Sequence, residues 1–268
     1  MASKYLGLPT YCIVTGASQG IGSKIAVELS RKFAKGSLMV LLARSVVGLD
    51  KTKDLISKAN PDIVVYTHSV DLSKPNAEEY ESIIDKSLRD SDFAASKFDL
   101  SSIVHNAGSV GDIKEYCADM SDPKKMEEYF SLNLFSVMCL TSVFLTIFPK
   151  DVVKNRLIIN ITSLCAVKPF KSLGYYCIGK ASREMFFKVL AEEDNNLKVL
   201  SYSPGPVNTD MISHIMLDIR DPDTKDLFTT MKKSESILTT EQTVLRLINI
   251  LEKGNFESGC RIDYFDSD

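Results

Sequence analysis

The sequence is poor in the residues that build metal centres. Its 268 residues contain three histidines and six cysteines, with no CxxC and no Cys/His pair at metal-ligand spacing. We therefore predict no metal ion, and no catalytic role for His68, His105 or His214. The cysteines, several of which lie in apolar runs, are interpreted as reduced thiols of a cytoplasmic protein.

An excess of positive charge is also lacking. The formal net charge is -3, which argues against binding to nucleic acid or to an anionic membrane and favours a small-molecule ligand. The sequence shows no internal repeat, low-complexity stretch, Gly/Ser linker or secretory signal. With 44% hydrophobic and 25% charged residues, it has the composition of a globular protein, and we predict a single domain over residues 1–268.

One long stretch, residues 129–149, has no charged side chain and is about long enough to span a bilayer. The alternative is a helix that covers a sheet. Several serines and threonines within the stretch, and strand-like runs on both sides, favour the second interpretation. Because the stretch is apolar on all sides, we predict that it packs on its own sheet and on a second subunit, giving a homodimer rather than a membrane protein.

Apolar strand-like runs alternate with helical patterns along the chain. The runs are TYCIVT, SLMVLLA, DIVVYTHSV, SSIVHNA, RLIINIT, LKVLSYS and GCRIDYF. This alternation predicts an α/β, doubly wound Rossmann fold with a mostly parallel sheet and helices on both faces. The one long segment predicted to be irregular, at about 204–239, is interpreted as a substrate loop.

The segment TGASQGIG stands between the first predicted strand and the first predicted helix. Glycine permits a tight turn and a close approach of the backbone to a pyrophosphate, and a helix N-terminus offers amide donors to it. An ordinary strand-to-helix turn is the alternative. The segment predicts a dinucleotide site formed by Gly16, Ser18, Gln19, Gly20, Ile21 and Gly22.

The end of the second strand indicates which dinucleotide binds. An acidic residue there would bind the ribose hydroxyls of NAD, whereas Arg44 can pair with the 2'-phosphate of NADP. The expected cofactor is therefore NADPH/NADP, although a solvated surface arginine is the alternative. Further contacts are predicted where the next two strands end, at Asp71, Leu72, Asn106, Ala107 and Gly108.

Five features together resemble the short-chain dehydrogenase/reductase family over nearly the whole chain. They are TGxxxGxG at 16–22, NAG at 106–108, Ser163, the pair Tyr176 and Lys180, and Pro204-Gly205. The stretches NAGSVGD, NLFSVMCLTS, SLCAVKPFKSLGYYCIGKASREM, SPGPVNTDM and ESGCRIDYFD resemble members that reduce pterin carbonyls. The resemblance implies an NADPH-dependent oxidoreductase, a pterin substrate, and cofactor contacts at Pro204, Gly205, Val207 and Thr209.

The spacing of Tyr176 and Lys180 suits proton transfer to a reduced carbonyl. Residues four apart share a helix face, and a neighbouring cation lowers the pKa of a tyrosine, which is otherwise about 10. Together with the resemblance, this predicts that Ser163 polarises the carbonyl oxygen, Tyr176 donates the proton and Lys180 tunes it and binds the cofactor. Tyr175 is the rival donor. Asn133 matches the family residue that holds a relay water, or is an interior asparagine satisfied by backbone.

The resemblance also implies how a pterin would be selected. Asp263 would accept hydrogen bonds from the pterin, with Asp266 as the alternative. Two departures from the subgroup are Gln19, where vertebrate-like members have arginine, and Leu173, where a tryptophan is common. A general carbonyl reductase and a non-catalytic NADPH-binding sensor remain as alternative functions. The predicted pocket walls are Leu164, Cys165, Phe170, Tyr175 and Met211.

Overall fold

The computed structural model describes residues 5–267. The strands are β1 Thr10–Thr15, β2 Leu38–Ala43, β3 Val64–Ser69, β4 Leu100–His105, β5 Asn155–Ile161, β6 Leu197–Ser203 and β7 Cys260–Asp263. The α-helices are α1 Gly20–Ser30, α2 Val46–Ala59, α3 Ala77–Asp90, α4 Pro123–Phe130, α5 Ser136–Ile147, α6 Gly174–Glu193, α7 Asp210–Asp218, α8 Pro222–Lys233 and α9 Thr240–Lys253.

The strands form one seven-stranded sheet in the order β3-β2-β1-β4-β5-β6-β7, and every neighbouring pair in it is parallel. The chain reverses its direction of travel across the sheet between β1 and β4. In open α/β sheets, ligands bind outside the carboxyl ends of the strands at such a switch point. The predicted doubly wound α/β fold is confirmed.

Helices cover both faces of the sheet. On β1, Cys12 and Val14 point to one face, which is packed by α1, α2 and α9. Tyr11 and Ile13 point to the other face, which is packed by α3, α5 and α6. Burial on both faces explains why the strands are continuous apolar runs rather than alternating patterns.

The uncharged stretch lies in this second layer of helices. Helices α4 and α5 are joined by a π-helical turn, Ser131–Phe135, and Val137, Leu140 and Phe144 of α5 are buried against the sheet. Within the described residues, Pro123–Ile147 is long and apolar enough to cross a membrane by length and composition alone. The core helix of a sheet protein passes the same test, and these contacts with the sheet are the ones predicted.

The segment predicted to be irregular, at about 204–239, is mostly helical, so that prediction was wrong. Helix α7 buries Ile212 and Ile215 at helical spacing. Helix α8 begins with Pro222 in its first turn, and the side chain of Asp221 caps it by accepting a hydrogen bond from the amide of Thr224. Proline suggests a loop when read alone, but it is well tolerated in the first turn of a helix.

Candidate active site

The glycine loop follows β1 and packs tightly against the segment that follows β4. Gly16 has a φ of 65° and Gly20 a φ of 57°, in the left-handed region that favours glycine. A Cβ atom on Gly16 would lie 2.8 Å from Asn106 Nδ2, and one on Gly22 would collide with the carbonyl oxygen of Gly16. The absence of side chains at Gly16 and Gly22 therefore lets the loop backbone pack closely against Asn106 and against itself. A backbone without side chains also allows the close approach of a phosphate.

Asn106 ties the two segments together. Its side-chain amide donates to the carbonyl oxygens of Thr15 and Gly16, at 3.0 and 3.3 Å. The backbone amides of Asn106 and Ala107 donate to the hydroxyl of Thr15, at 3.0 and 3.1 Å. A Cβ on Gly108 would lie 2.9 Å from Asn133 Oδ1. The predicted cofactor residues after β1 and β4 are thus brought together at one edge of the sheet.

Arg44 and Asp71 lie at the carboxyl ends of β2 and β3. The Arg44 side chain is exposed. The pKa of Asp71 is lowered mainly by hydrogen bonds from the hydroxyl and amide of Ser73, with a smaller contribution from the charge of Arg44. Leu72 is 5% exposed and belongs to the core, so only its backbone is available to a ligand.

The residues after β6 close the other side of the glycine loop. The methyl group of Thr209 would be 3.7 Å from a Cβ on Gly20, and Gln19 Nε2 donates to Asp210 Oδ2 at 3.1 Å. Gly205 has a φ of 72°. Val207 pairs with Leu238 in an isolated parallel bridge, and the carbonyl oxygen of Pro204 accepts from Thr243.

Ser163, Tyr176 and Lys180 meet beyond the carboxyl end of β5. Ser163 precedes a short 3-10 turn, Leu164–Ala166, and its hydroxyl accepts from the amide of Cys165 at 3.2 Å. The Ser163 side chain also lies close enough to the phenol of Tyr176 to lower its pKa, against the larger effect of burial. Lys180 Nζ lies 5.5 Å from the centroid of the Tyr176 ring and donates to the carbonyl oxygen of Ile161 at 2.7 Å.

The pKa of Tyr176 differs from the sequence-based expectation, which was a value lowered by Lys180. Burial raises the pKa of Tyr176, and the Ser163 side chain and the charge of Arg183 only partly oppose that rise. Burial also lowers the pKa of Lys180 well below its ordinary value, and Arg183 lowers it further. Sequence reasoning missed Arg183, although it stands seven residues after Tyr176 and three after Lys180, on the same helix face.

The rival donor, Tyr175, points elsewhere. It is 1% exposed, its ring packs on Tyr129 with the centroids 5.2 Å apart, and its hydroxyl is buried without a hydrogen-bond partner among the described residues. The prediction that Tyr175 forms a wall of the substrate pocket does not fit this placement, because consecutive helical residues point about 100° apart.

Asn133 lies in the π-helical turn between α4 and α5. Its Oδ1 accepts from the amide of Ser109 at 2.9 Å, and its Nδ2 donates to the carbonyl oxygen of Tyr129 at 2.9 Å and to the Ser109 hydroxyl at 3.3 Å. Turns of this kind are frequent at functional sites. Asn133 therefore has backbone partners, as the alternative interpretation expects, and it adjoins the segment after β4.

Tyr176 packs against a small hydrophobic cluster. Cys165 belongs to its buried part, and Phe170 and Met211 pack on it. Leu164 is outside the cluster and 43% exposed. The members of this cluster come from the segment after β4, the turn after β5, the start of α6, and α7 with α8. The helical segment 210–233 therefore forms one side of it.

Asp263 ends β7, beside Ser203 at the end of β6. Its Oδ2 is 3.0 Å from the guanidinium of Arg261, and its Oδ1 accepts from the amide of Phe265 at 3.2 Å. The side chain is 14% exposed. Asp266 instead accepts a hydrogen bond from the backbone amide of Asp263, so Asp266 shapes the turn that holds Asp263.

The sequence profile of the short chain dehydrogenases matches residues 10–219. The chain belongs to the short-chain dehydrogenase family. It is therefore an NAD(P)-dependent oxidoreductase, and the alternative of a non-catalytic sensor is set aside. The same arrangement of sheet and helices occurs in the crystal structure of the enzyme KRED1-Pglu, with a TM-score of 0.76, 24% identity, and coverage of 94% of this chain and 100% of the other.

Two relatives bear on the chemistry of this short-chain dehydrogenase. Sepiapterin reductase of Meriones unguiculatus is 34% identical over 258 residues, covering 96% of each chain. Benzil reductase of Bacillus cereus, which forms (S)-benzoin, is 28% identical over 261 residues, covering 94% of this chain and 99% of the other.

Proposed function

We propose that this short-chain dehydrogenase uses NADPH to reduce the side-chain carbonyls of pterins, converting 6-pyruvoyl-tetrahydropterin to tetrahydrobiopterin and sepiapterin to dihydrobiopterin. The observation that supports this most is the meeting of Ser163, Tyr176 and Lys180 beside a glycine loop. The similarity to sepiapterin reductase over 96% of the chain supports the pterin.

The residues of the glycine loop fit a dinucleotide. Gly16 and Gly22 let the loop backbone pack against Asn106 and against itself where a Cβ would collide, the N-terminus of α1 supplies free amides, and Arg44 offers an exposed guanidinium to a 2'-phosphate. Bound there, NADPH would supply the hydride. The residues proposed to hold it are Gly16, Ser18, Gln19, Gly20, Ile21, Gly22, Arg44, Asp71, the Leu72 backbone, Asn106, Ala107, Gly108, Tyr176, Lys180, Pro204, Gly205, Val207 and Thr209.

Side chains of this protein would transfer the proton to the carbonyl oxygen of the substrate. The Ser163 hydroxyl would orient and polarise the carbonyl oxygen, and the phenol of Tyr176, which lies beside Ser163, would give its proton to the same oxygen. Lys180 Nζ donates a hydrogen bond to the carbonyl oxygen of Ile161. Lys180 would also bind the cofactor and pass a proton to Tyr176. Asn133 adjoins this path through Ser109 and would hold the water that replaces the proton.

Pterin selection would depend on Asp263. Its carboxylate is held by Arg261 and by the amide of Phe265, so its orientation is set before a ligand binds, which lowers the cost of ordering it. A pterin offers an amino group and a ring N–H to such a carboxylate, whereas a simple diketone offers neither. Cys165, Phe170 and Met211 of the hydrophobic cluster would flank the flat ring, with Leu164 at its exposed edge.

The decisive measurement is NADPH oxidation by the purified protein with sepiapterin, compared with a simple diketone. We expect a higher kcat/KM for sepiapterin, with dihydrobiopterin as the product. Equal or better turnover of the diketone would contradict the pterin proposal while leaving carbonyl reduction in place.

A general dicarbonyl reductase is the second candidate. Two observations favour it: the benzil reductase of Bacillus cereus is 28% identical over most of both chains, and Asp263 already has a cationic partner in Arg261. Arg261 already balances much of the negative charge of that carboxylate. When a substrate without hydrogen-bond donors binds, the cost of leaving Asp263 without a substrate partner is therefore smaller than it would be for an isolated aspartate. The comparison of sepiapterin with a diketone separates the two candidates.

We also propose a homodimer, in the cytoplasm. Helices α5 and α6 leave apolar side chains exposed on one continuous face, including Phe135, Met138, Met185 and Val189, which are 41–60% exposed. A groove between the two helices is lined by Met138, Leu145, Phe186 and Leu190. A second copy related by a two-fold axis would cover this face with the same side chains. Sedimentation should show a dimer that Met138→Glu dissociates, and a monomeric wild type would contradict this proposal.

A further inference from the structure

Arg183 is a fully buried arginine in the middle of α6. Its guanidinium donates to neutral oxygens: Nε to Asn160 Oδ1 at 3.0 Å, Nη1 to the carbonyl of Ala107 at 3.1 Å, and Nη2 to the carbonyl of His105 at 2.7 Å. Burying a guanidinium without an opposite charge is costly, so these bonds call for an explanation beyond packing.

The nearest acidic neighbour along the helix does not provide that opposite charge. Glu184 accepts a hydrogen bond from Thr162 at 2.6 Å and lies 3.3 Å from the guanidinium of Arg261. Glu184 therefore belongs to a separate network that leads through Arg261 to Asp263.

The acceptors of Arg183 lie where the cofactor is proposed to cross the sheet. His105 ends β4, Ala107 belongs to the segment that packs on the glycine loop, and Asn160 is on the neighbouring strand β5. Through these three bonds, one side chain fixes the helix that carries Tyr176 relative to the ends of two strands. A hydrophobic residue of similar size would fill the space but would leave two carbonyl groups without a partner.

The guanidinium also contributes charge to the trio. It lowers the pKa of Tyr176, against the larger effect of burial, and it lowers the pKa of Lys180, in addition to the larger effect of burial. Burial lowers the pKa of Arg183 itself only to about 10, so the guanidinium is still positively charged at neutral pH. Arg183 therefore remains a cation on this helix face at neutral pH.

We propose that Arg183 is a positioning residue for carbonyl reduction, which locks α6 onto the ends of β4 and β5 and presents a fixed positive charge to the phenolate that Tyr176 becomes. The proposal rests on the proposed role of Tyr176 as proton donor. The titratable or charged groups around Tyr176 and Arg183 are Tyr129 on α4, His105 on β4, Cys165 in the turn after β5, Cys177, Lys180 and Glu184 on α6, and Arg261 on β7.

The test compares Arg183→Met, which removes the charge, with Arg183→Lys, which keeps a charge but cannot make all three bonds. Both variants are assayed at neutral pH, where the wild-type guanidinium is charged. In Arg183→Met, kcat should fall by about 10-fold or more with little change in KM for the carbonyl substrate, because the phenolate formed in the reaction is less stable and α6 is no longer bonded to the strand ends. Arg183→Lys, which restores the charge and part of the bonding, should recover part of kcat.

A second readout does not depend on the substrate. NADPH affinity, measured by fluorescence titration at neutral pH, should fall about five- to 10-fold in Arg183→Met, because the segment at Ala107 that packs on the glycine loop loses its bond to α6. This readout remains valid if sepiapterin is not turned over, so failure of the pterin proposal and failure of the Arg183 proposal give different results.

Arg156→Met is the matched control. Arg156 is a buried arginine at the start of β5, bonded to Asp194 at 2.7 Å, and its loss should lower stability without changing kcat or NADPH affinity in the folded protein. If Arg183→Met does not fold, Arg183→Gln, which keeps a neutral donor, takes its place. Unchanged kcat and unchanged NADPH affinity in the neutral variant, or equal losses in Arg156→Met, would overturn the proposal.

Discussion

The two sides of the candidate site are built in different ways. On the cofactor side, the glycine loop and the segment after β4 are joined by short bonds between Thr15, Asn106 and Ala107, and added Cβ atoms would strike backbone. On the substrate side, Phe170 and Met211 come from separate segments and pack on one hydrophobic cluster through their side chains, and Asp263 at the end of β7 is held by the side chain of Arg261.

The difference indicates what each side can tolerate. A binding site formed by backbone atoms tolerates few substitutions without losing its ligand. A pocket lined by side chains can change its size or polarity by substitution while the fold is retained. We expect substitutions on the cofactor side and at the reacting centre to affect all substrates alike. Substitutions on the substrate side should separate one carbonyl substrate from another.

The largest effect is expected at the reacting centre, which both sides share. Tyr176→Phe removes the proposed proton donor and should lower kcat about 1000-fold for pterin and diketone alike, since general acid catalysis contributes about 100- to 10,000-fold. NADPH affinity, measured by fluorescence titration, should change little.

Tyr175→Phe is the matched control for that substitution. The Tyr175 hydroxyl is buried without a partner among the described residues, so its removal should leave kcat nearly unchanged. A large loss in Tyr175→Phe, with activity retained in Tyr176→Phe, would reverse the assignment of the donor.

The substrate side is tested by Asp263→Asn, which removes a charge and preserves the shape. A hydrogen bond to a charged group contributes about 1.5–3 kcal/mol, so kcat/KM for sepiapterin should fall about 10- to 100-fold, while a diketone should lose little. The comparison uses steady-state kinetics with both substrates.

Asp266→Asn distinguishes the two aspartates near the C-terminus. Asp266 bonds the backbone amide of Asp263, so its substitution should affect the pterin less strongly. Equal losses for sepiapterin and diketone in Asp263→Asn would remove Asp263 from pterin selection, and a selective loss in Asp266→Asn alone would transfer the role.

Arg44→Asp tests the cofactor side without touching the packed glycines. The exposed guanidinium should give way to a carboxylate that repels the 2'-phosphate and accepts ribose hydroxyls. We expect the ratio of kcat/KM for NADPH to that for NADH to fall by about 10-fold or more. Arg89→Asp, an exposed change in the last turn of α3, should leave the ratio unchanged, and an unchanged ratio in Arg44→Asp would remove Arg44 from the site.

The same contrast explains what the sequence could predict. All seven strands could be located from strand-like runs. The five inner strands are buried on both sheet faces, which produces unbroken apolar runs, and TYCIVT coincides with β1. The glycine loop could be recognised because its function depends on the backbone, which leaves a local glycine pattern. Helices α7 and α8 were missed because the prolines near them resemble loop signals, although Asp221 before Pro222 is also a capping pattern.

Side-chain networks from distant segments were harder to predict. Arg183 resembles an ordinary helical arginine until its contacts with His105, Ala107 and Asn160 are known. The pairing of Arg261 with Asp263 left a clearer signal, because residues two apart on a strand point to the same face. Asp263 could thus be proposed as a substrate anchor from the sequence, whereas the network that orients its side chain could not be predicted.

The smallest expected effect concerns the rim where the two sides meet. Gln19 in the glycine loop donates to Asp210, the first residue of α7, at 3.1 Å, and both side chains are exposed. In Gln19→Arg an ion pair would replace this hydrogen bond from a neutral amide, and the guanidinium would also face the cofactor phosphates. Because exposed ion pairs contribute about 0.2–1 kcal/mol, NADPH affinity should rise only about two- to five-fold, and less at high salt.

A double-mutant cycle with Asp210→Asn separates the two sources of that gain, with NADPH affinity measured by fluorescence at low and high salt. A gain that persists without the Asp210 carboxylate comes from the phosphates and belongs to the cofactor side alone. A gain that disappears without the Asp210 carboxylate shows that the glycine loop binds NADPH more tightly when it is bonded to α7. The cofactor side and the substrate side are then coupled at this point. Unchanged NADPH affinity in Gln19→Arg at low salt would exclude both a phosphate contact and a coupling to α7 at position 19.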